Sequence, residues 1–129
     1  MAYLGKPILA IDFDGTIRMG KRYNSKNNRL MPHCKFFIKK LYEHGCRFIL
    51  WTTRTEESMD SVREVLKKNN ILQYFEEINE NVQEIRWWNT RKIYADYYID
   101  DLNLGGFPGW LETYDILMEQ FPKMEIDNE

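Results

Sequence analysis

The sequence predicts an α/β fold, a doubly wound, Rossmann-like parallel sheet flanked by helices. Two observations lead there. Short apolar runs alternate along the chain with segments whose apolar residues recur at helical spacing. The apolar runs also end abruptly on polar or acidic residues, as buried parallel strands do at a ligand-binding edge. At 129 residues the chain is sized for one domain, 1–129, with a short acidic tail at 122–129 expected to fray.

Pro7-Ile8-Leu9-Ala10-Ile11 reads as the first buried strand. Residues 18–31 hold Arg18, Lys21, Arg22, Lys26 and Arg29 among Asn and Gly, which suits a loop or short hairpin. Pro32 fits the first turn of a helix whose apolar face is Phe37, Ile38 and Leu41, and Gly45 stops it. Arg47 to Trp51 is a second strand, leading into Thr52-Thr53-Arg54. Thr55 is placed to cap a helix with Glu56 and Glu57 in its first turn, Met59, Val62, Val65 and Leu66 inward, and Lys67 and Lys68 in its last turn. Tyr74 to Ile78 suits a third strand. Trp87 and Trp88 fall in a stretch that fits a short helix or a loop. Tyr97-Tyr98-Ile99 is a fourth strand, and 107–121 a last helix with Trp110, Leu111, Tyr114, Leu117 and Phe121 inward.

Composition excludes several classes. The net charge of −2 leaves no bulk basic footprint for nucleic acid. Apolar and charged residues, at 43% and 29%, are those of an ordinary globular protein. Cys34 and Cys46 lack metal-type spacing and read as reduced thiols. The apolar runs are too short to span a bilayer, and the first residues do not resemble a signal peptide, so a cytoplasmic protein is expected.

Asp12 and Asp14, Thr52, and Asp100 and Asp101 each follow an apolar strand. In an open parallel sheet the carboxyl ends of the strands share one edge, and ligands bind where strand order reverses. Residues nearly 90 positions apart should therefore converge. Four carboxylates at one edge repel, and a hard divalent cation with oxygen ligands relieves that. Helix capping is the plainer role for a single Asp after a strand, but two acid pairs at two strand ends exceed what capping needs.

Asp12-Phe13-Asp14-Gly15-Thr16-Ile17 after an apolar strand resembles the first motif of the haloacid dehalogenase (HAD) superfamily. Thr52 after Phe48-Ile49-Leu50-Trp51 resembles its second motif, and Ile99-Asp100-Asp101 its fourth, in the same order along the chain. Lys92 to Asp101 is similar to small phosphatases of that superfamily from bacteria and phages. The resemblance spans about residues 7–101. It implies a Mg²⁺-dependent phosphohydrolase in which Asp12 forms an aspartyl-phosphate and Asp14 acts as general acid and base. It further implies Mg²⁺ held by the Asp12 side chain, the Asp14 carbonyl and the Asp100–Asp101 pair, with Asp101 the direct ligand and Asp100 its supporting partner. Thr52 would donate to a phosphoryl oxygen.

Lys92 is the pattern match for the family's phosphate-neutralising cation. An extended path into Tyr97–Ile99 would leave its amine far from the site, at ~3.3 Å per residue. Either that segment folds back, or Arg54, Arg86 or Lys21 serves instead. The intervals between motifs hold no full cap domain. The site should be open, covered by another copy of the chain, or used on a bulky substrate. The expected substrate is a small phosphorylated metabolite or a nucleotide, with a nucleic-acid end-phosphate less favoured. Two other readings compete: a receiver-like phosphoacceptor module, whose acids and Thr come in a different order, and a phosphate-binding or regulatory protein of the same fold without turnover.

Overall fold

The computed structural model describes residues 6–20 and 28–121. Lys21, Lys26 and the 122–129 tail lie outside them. The fold is α/β. Four parallel strands, β1 (Ile8–Ile11), β2 (Arg47–Leu50), β3 (Phe75–Ile78) and β4 (Tyr97–Ile99), pair in the order β3-β2-β1-β4. Three helices follow the chain: α1 (Cys34–Glu43), α2 (Met59–Lys68) and α3 (Trp110–Gln120). No cap-sized insertion interrupts the described residues.

Strand alternation sorts the core into two layers. Leu9, Ile11, Phe48 and Leu50 face one side, where Phe37, Ile38 and Leu41 of α1, Met59, Val62 and Leu66 of α2, and Trp110 and Leu117 of α3 cover them. Each such fully buried aliphatic side chain contributes about 1.5–3 kcal/mol. Ile8, Ala10 and Ile49 face the other side, under Val82, Ile85, Ile93 and Ala95. That second layer is thin. It consists of a 3-10 helix, Gln83–Trp88, and the irregular segment 89–95. Edge strand β3 is only partly buried and carries Glu76 and Glu77, charges that discourage further strand pairing.

β1 pairs with β2 on one side and β4 on the other, so strand order reverses between β1 and β4. Ile11 lies opposite both Leu50 and Ile99. Asp12, Trp51 and Asp100 therefore leave the sheet at one level. The hydrogen bonds Asp12 N–H to Ile99 O (2.9 Å) and Trp51 N–H to Ile11 O (2.9 Å) extend the pairing to that level.

Several boundaries differ from the sequence reading. Tyr74 belongs to a 3-10 turn, Leu72–Tyr74, that precedes β3. The Thr55 start holds, but as a 3-10 turn, Glu56–Ser58, leading into α2, with no hydrogen bond from the Thr55 side chain. Trp87 and Trp88 sit on the 3-10 helix, with Trp87 78% exposed. α3 starts at Trp110, three residues later than the pattern suggests, because the segment before it runs through Pro108 and Gly109 at φ 100°. This start turns Leu111 outward, 56% exposed, and places Thr113 inward instead. Residues 17–19 pair antiparallel with 29–31: Met19 N–H donates to Arg29 O at 2.8 Å and Met31 N–H to Ile17 O at 2.7 Å.

The buried Trp110 indole donates to the Thr16 carbonyl at 2.8 Å, tying α3 to the loop after β1. Trp110→Phe keeps an aromatic core residue and deletes only that donor. Leaving a buried carbonyl unpaired costs about 1–3 kcal/mol. Urea denaturation should show that loss with an unchanged m-value.

Candidate metal and phosphate site

The loop after β1 turns sharply at Gly15, at φ 83°. A side chain there would run into the Asp101 carboxylate, with a Cβ 2.6 Å from its Cγ. Gly15 is thus required twice, by backbone conformation and by the close approach of Asp101. Thr16, fully buried, then joins the two strand ends. Its hydroxyl donates to Asp12 Oδ2 at 3.2 Å and accepts from the Asp101 N–H at 3.1 Å.

Carboxylate oxygens of Asp12, Asp100 and Asp101 all lie within 4.8 Å of one another. Burial, then the neighbouring charge of Asp100 and the contact with Asp101, push the Asp12 carboxyl up to about 8, against a donated hydrogen bond from Thr16. Asp101 Oδ2 is buried without a hydrogen-bond partner. A buried acceptor with no donor and a carboxyl that resists ionisation are what an all-oxygen cation site shows when a proton stands in for the cation. The donor set suits a hard divalent ion. The triad could hold one.

Asp14 points elsewhere. Arg54 grips it with a two-pronged contact, Nε to Oδ2 at 2.9 Å and Nη2 to Oδ1 at 2.8 Å, and Arg18 Nε reaches Oδ1 at 2.8 Å. Burial is the largest single influence and opposes ionisation. The hydrogen bonds and charges of Arg54 and Arg18 together outweigh it and hold Asp14 below the usual carboxylate range. Arg54 also lies over the Phe13 ring, 5.2 Å from its centroid. With all four carboxylates ionised, the two guanidiniums would leave an excess of two negative charges, the charge one divalent cation carries.

Thr52 sits in the turn beyond β2. Its N–H donates to Asn79 Oδ1 at 2.8 Å, and its hydroxyl oxygen accepts from the Arg54 N–H at 3.1 Å, which leaves the hydroxyl hydrogen available. Lys92 does lie on a segment that folds back: Tyr98 donates its hydroxyl to Ile93 O at 2.6 Å, and the Lys92 amine stands 4.8 Å from the centre of the Tyr98 ring. No ion pair among the described residues joins Lys92 to the four acids. Arg86 is committed to Glu77 at 2.8 Å, on the β3 side. Arg54 is therefore the proposed alternative cation that reaches the acids, while Lys21 is outside the described residues.

Sequence reasoning gave Arg18 no role beyond a basic loop. It is fully buried, and its spacing four residues after Asp14 was the available signal. The sequence marks Thr16 only as part of a motif and does not mark Asn79. A cavity of 530 Å³ lies under the α3 start, lined by residues such as His33, Trp110 and Asp115, but none of the four acids lines it. The acid cluster sits on the sheet edge.

A solved structure, described as that of the conserved protein coded by locus from Bacteroides thetaiotaomicron, matches with a TM-score of 0.75 and 32% identity, covering 90% of this chain and 93% of that one. The chain belongs to the family of that conserved protein. At that structural similarity the family has this α/β fold. No protein-family model and no curated protein matches the chain. The family's described member carries no stated activity, and the chemistry has to be read from the side chains.

The raised Asp12 carboxyl has a consequence for stability without a cation. Folded Asp12 holds its proton up to about pH 8, whereas an ordinary carboxyl releases it near 3.8. Between those values the folded state binds more protons than the unfolded state, so stability falls as pH rises across the window. Chelator-treated protein should melt at a lower temperature at pH 8 than at pH 6. Asp12→Asn should flatten that slope.

Proposed function

We propose that this protein is a Mg²⁺-dependent phosphohydrolase of the HAD superfamily, acting on phosphate monoesters through Asp12. The observation that carries the reading is the meeting of Asp12, Asp100 and Asp101 at the β1–β4 reversal, with Arg54 on the neighbouring Asp14 and Thr52 bonded to the Arg54 main chain. Motif resemblance alone gives the residue order. The geometry adds a cation-ready oxygen cluster next to a guanidinium fork.

Asp12, Asp100 and Asp101 would hold Mg²⁺, with the Asp14 carbonyl as a further ligand. The bound cation supplies positive charge to the phosphoryl oxygens and keeps Asp12 ionised. Asp12 attacks phosphorus, the bond to the leaving oxygen breaks, and that oxygen takes a proton from Asp14. Water then attacks the aspartyl-phosphate, Asp14 takes a proton from it, and phosphate departs as Asp12 is regenerated. Thr52 donates its hydroxyl hydrogen to a phosphoryl oxygen, and Arg54 supplies the neutralising charge, with Lys92 the sequence-pattern alternative.

Asp14 is held ionised by Arg54 and Arg18, so once Arg54 loosens its grip it must take a proton from solvent before it can give one. A phosphoryl dianion competes for that grip, because a guanidinium fork pairs with phosphate as it does with carboxylate. The same clamp favours the second reading, a phosphate-binding protein without turnover, since it holds Asp14 ionised. Turnover separates the two. The substrate class is a small phosphorylated metabolite or a nucleotide, at a site left open by the lack of a cap or closed by a second copy of the chain.

Hydrolysis of para-nitrophenyl phosphate should require Mg²⁺ and stop with chelator. Asp12→Asn should lower kcat/KM by at least ~10³-fold, about 4 kcal/mol of lost transition-state stabilisation. Activity surviving that substitution would remove Asp12 as the nucleophile. Phosphate binding without any turnover in the unsubstituted protein would select the second reading.

A further inference from the structure

Asn79 stands out among the residues with left-handed backbone. Asn70 and Asn89 adopt it just after helical segments, where it ends a helix. Asn79, at φ 55°, adopts it just after strand β3. Its main chain stays paired with β2, the N–H donating to Leu50 O at 2.8 Å. Its side chain reaches across to the next segment of β2, where Oδ1 accepts the Thr52 N–H at 2.8 Å. Thr52 in turn accepts the Arg54 N–H on its hydroxyl oxygen, a side-chain turn closed two residues on. The Arg54 guanidinium then reaches Asp14. A series of hydrogen bonds thus runs from Asn79 through Thr52 and Arg54 to Asp14.

We infer that Asn79 is a positioning residue that sets the 52–54 turn, so that the Thr52 hydroxyl and the Arg54 guanidinium face one phosphoryl group together. The inference deepens the phosphohydrolase reading and rests on it for the identity of the bound group. Two groups on one three-residue turn can serve a single phosphate only if that turn has one conformation. The turn's own bond, Arg54 N–H to Thr52, closes it internally but does not orient it against the sheet. The Asn79 side chain does, by fixing the Thr52 N–H, the second beyond β2. Left-handed backbone aims that side chain at β2, and Asn tolerates this conformation better than most residues. Asn79 is exposed, so its bond to Thr52 adds little to the core.

The discriminating variant is Asn79→Gly. Glycine accepts the left-handed backbone, so the strand end is kept and only the side-chain acceptor is lost. Misplacing binding groups by about 1 Å can cost up to ~10² in rate. The expected result is a loss of kcat/KM of ~10-fold on para-nitrophenyl phosphate with Mg²⁺, a matching weakening of inorganic phosphate binding, and an almost unchanged melting temperature. Asn79→Asp retains an acceptor for the Thr52 N–H and should recover most of the binding. In a Thr52→Ala background, Asn79→Gly should cost much less than it does alone, because the two act through one turn. A fallen melting temperature with unaltered kcat/KM and phosphate affinity would overturn the inference, as would losses that multiply in the double variant. If the unsubstituted protein binds phosphate but does not turn over, the phosphohydrolase reading fails while phosphate affinity still decides the role of Asn79. Absence of phosphate binding in the unsubstituted protein would overturn both.

Discussion

Mutual repulsion among the carboxylates at the β1–β4 reversal is the constraint around which this end of the molecule is organised. Asp12, Asp100 and Asp101 are brought within 4.8 Å by strand register, not by attraction between them. The fold answers the repulsion with separate devices. Arg18 and Arg54 absorb the fourth carboxylate, Asp14, in a buried ion-pair cluster. Thr16 donates to Asp12 and accepts from the Asp101 N–H, so it fixes the spacing of the two loops. The remaining excess falls on Asp12, whose carboxyl keeps a proton far above its ordinary range. Breaking a buried pair costs more than forming it contributes, so the arginines act mainly to keep Asp14 in place.

The supporting layer explains how so small a chain keeps such a cluster in position. Trp110 anchors the loop after β1 from the α3 side, through the Thr16 carbonyl. Gly15 leaves the space that the Asp101 carboxylate occupies. On the opposite flank, the turn after β2 is held by Asn79. Below the edge, Asp96 sets the start of the fourth strand, with its N–H on Ile8 O at 2.7 Å and Oδ2 accepting the Ile8 N–H at 2.7 Å. The Asn79 and Asp96 contacts tie one strand end to its neighbour, and the Trp110 contact ties the β1 loop to α3.

The strands, the acid pairs and the reversal point were legible because they follow from period and from apolar runs cut off by charge. Convergence of Asp12 with Asp100 needed only the strand assignments and parallel topology. What escaped sequence reading depends on contacts across the fold. Arg18 lies among basic loop residues, and only its spacing four residues after Asp14 marks it as a partner for that acid. Leu111 shares the helical period of Trp110 and Leu117, but the late start of α3 at Gly109 changes which residues face the sheet. The path of Lys92 depends on an irregular segment packed by Tyr98, which has no period to read. Asn79 follows an ordinary strand pattern, and its role exists only because β2 ends beside it.

A divalent cation bound at the triad would replace the proton on Asp12. Titration calorimetry with Mg²⁺ at pH 7, repeated in buffers of different ionisation enthalpy, counts protons released per ion bound. Because Asp12 is held up to about 8, the expected release is close to one proton per ion, and Asp12→Asn should abolish it. Failure to bind Mg²⁺ at millimolar concentration, or binding with no proton released, would contradict the account.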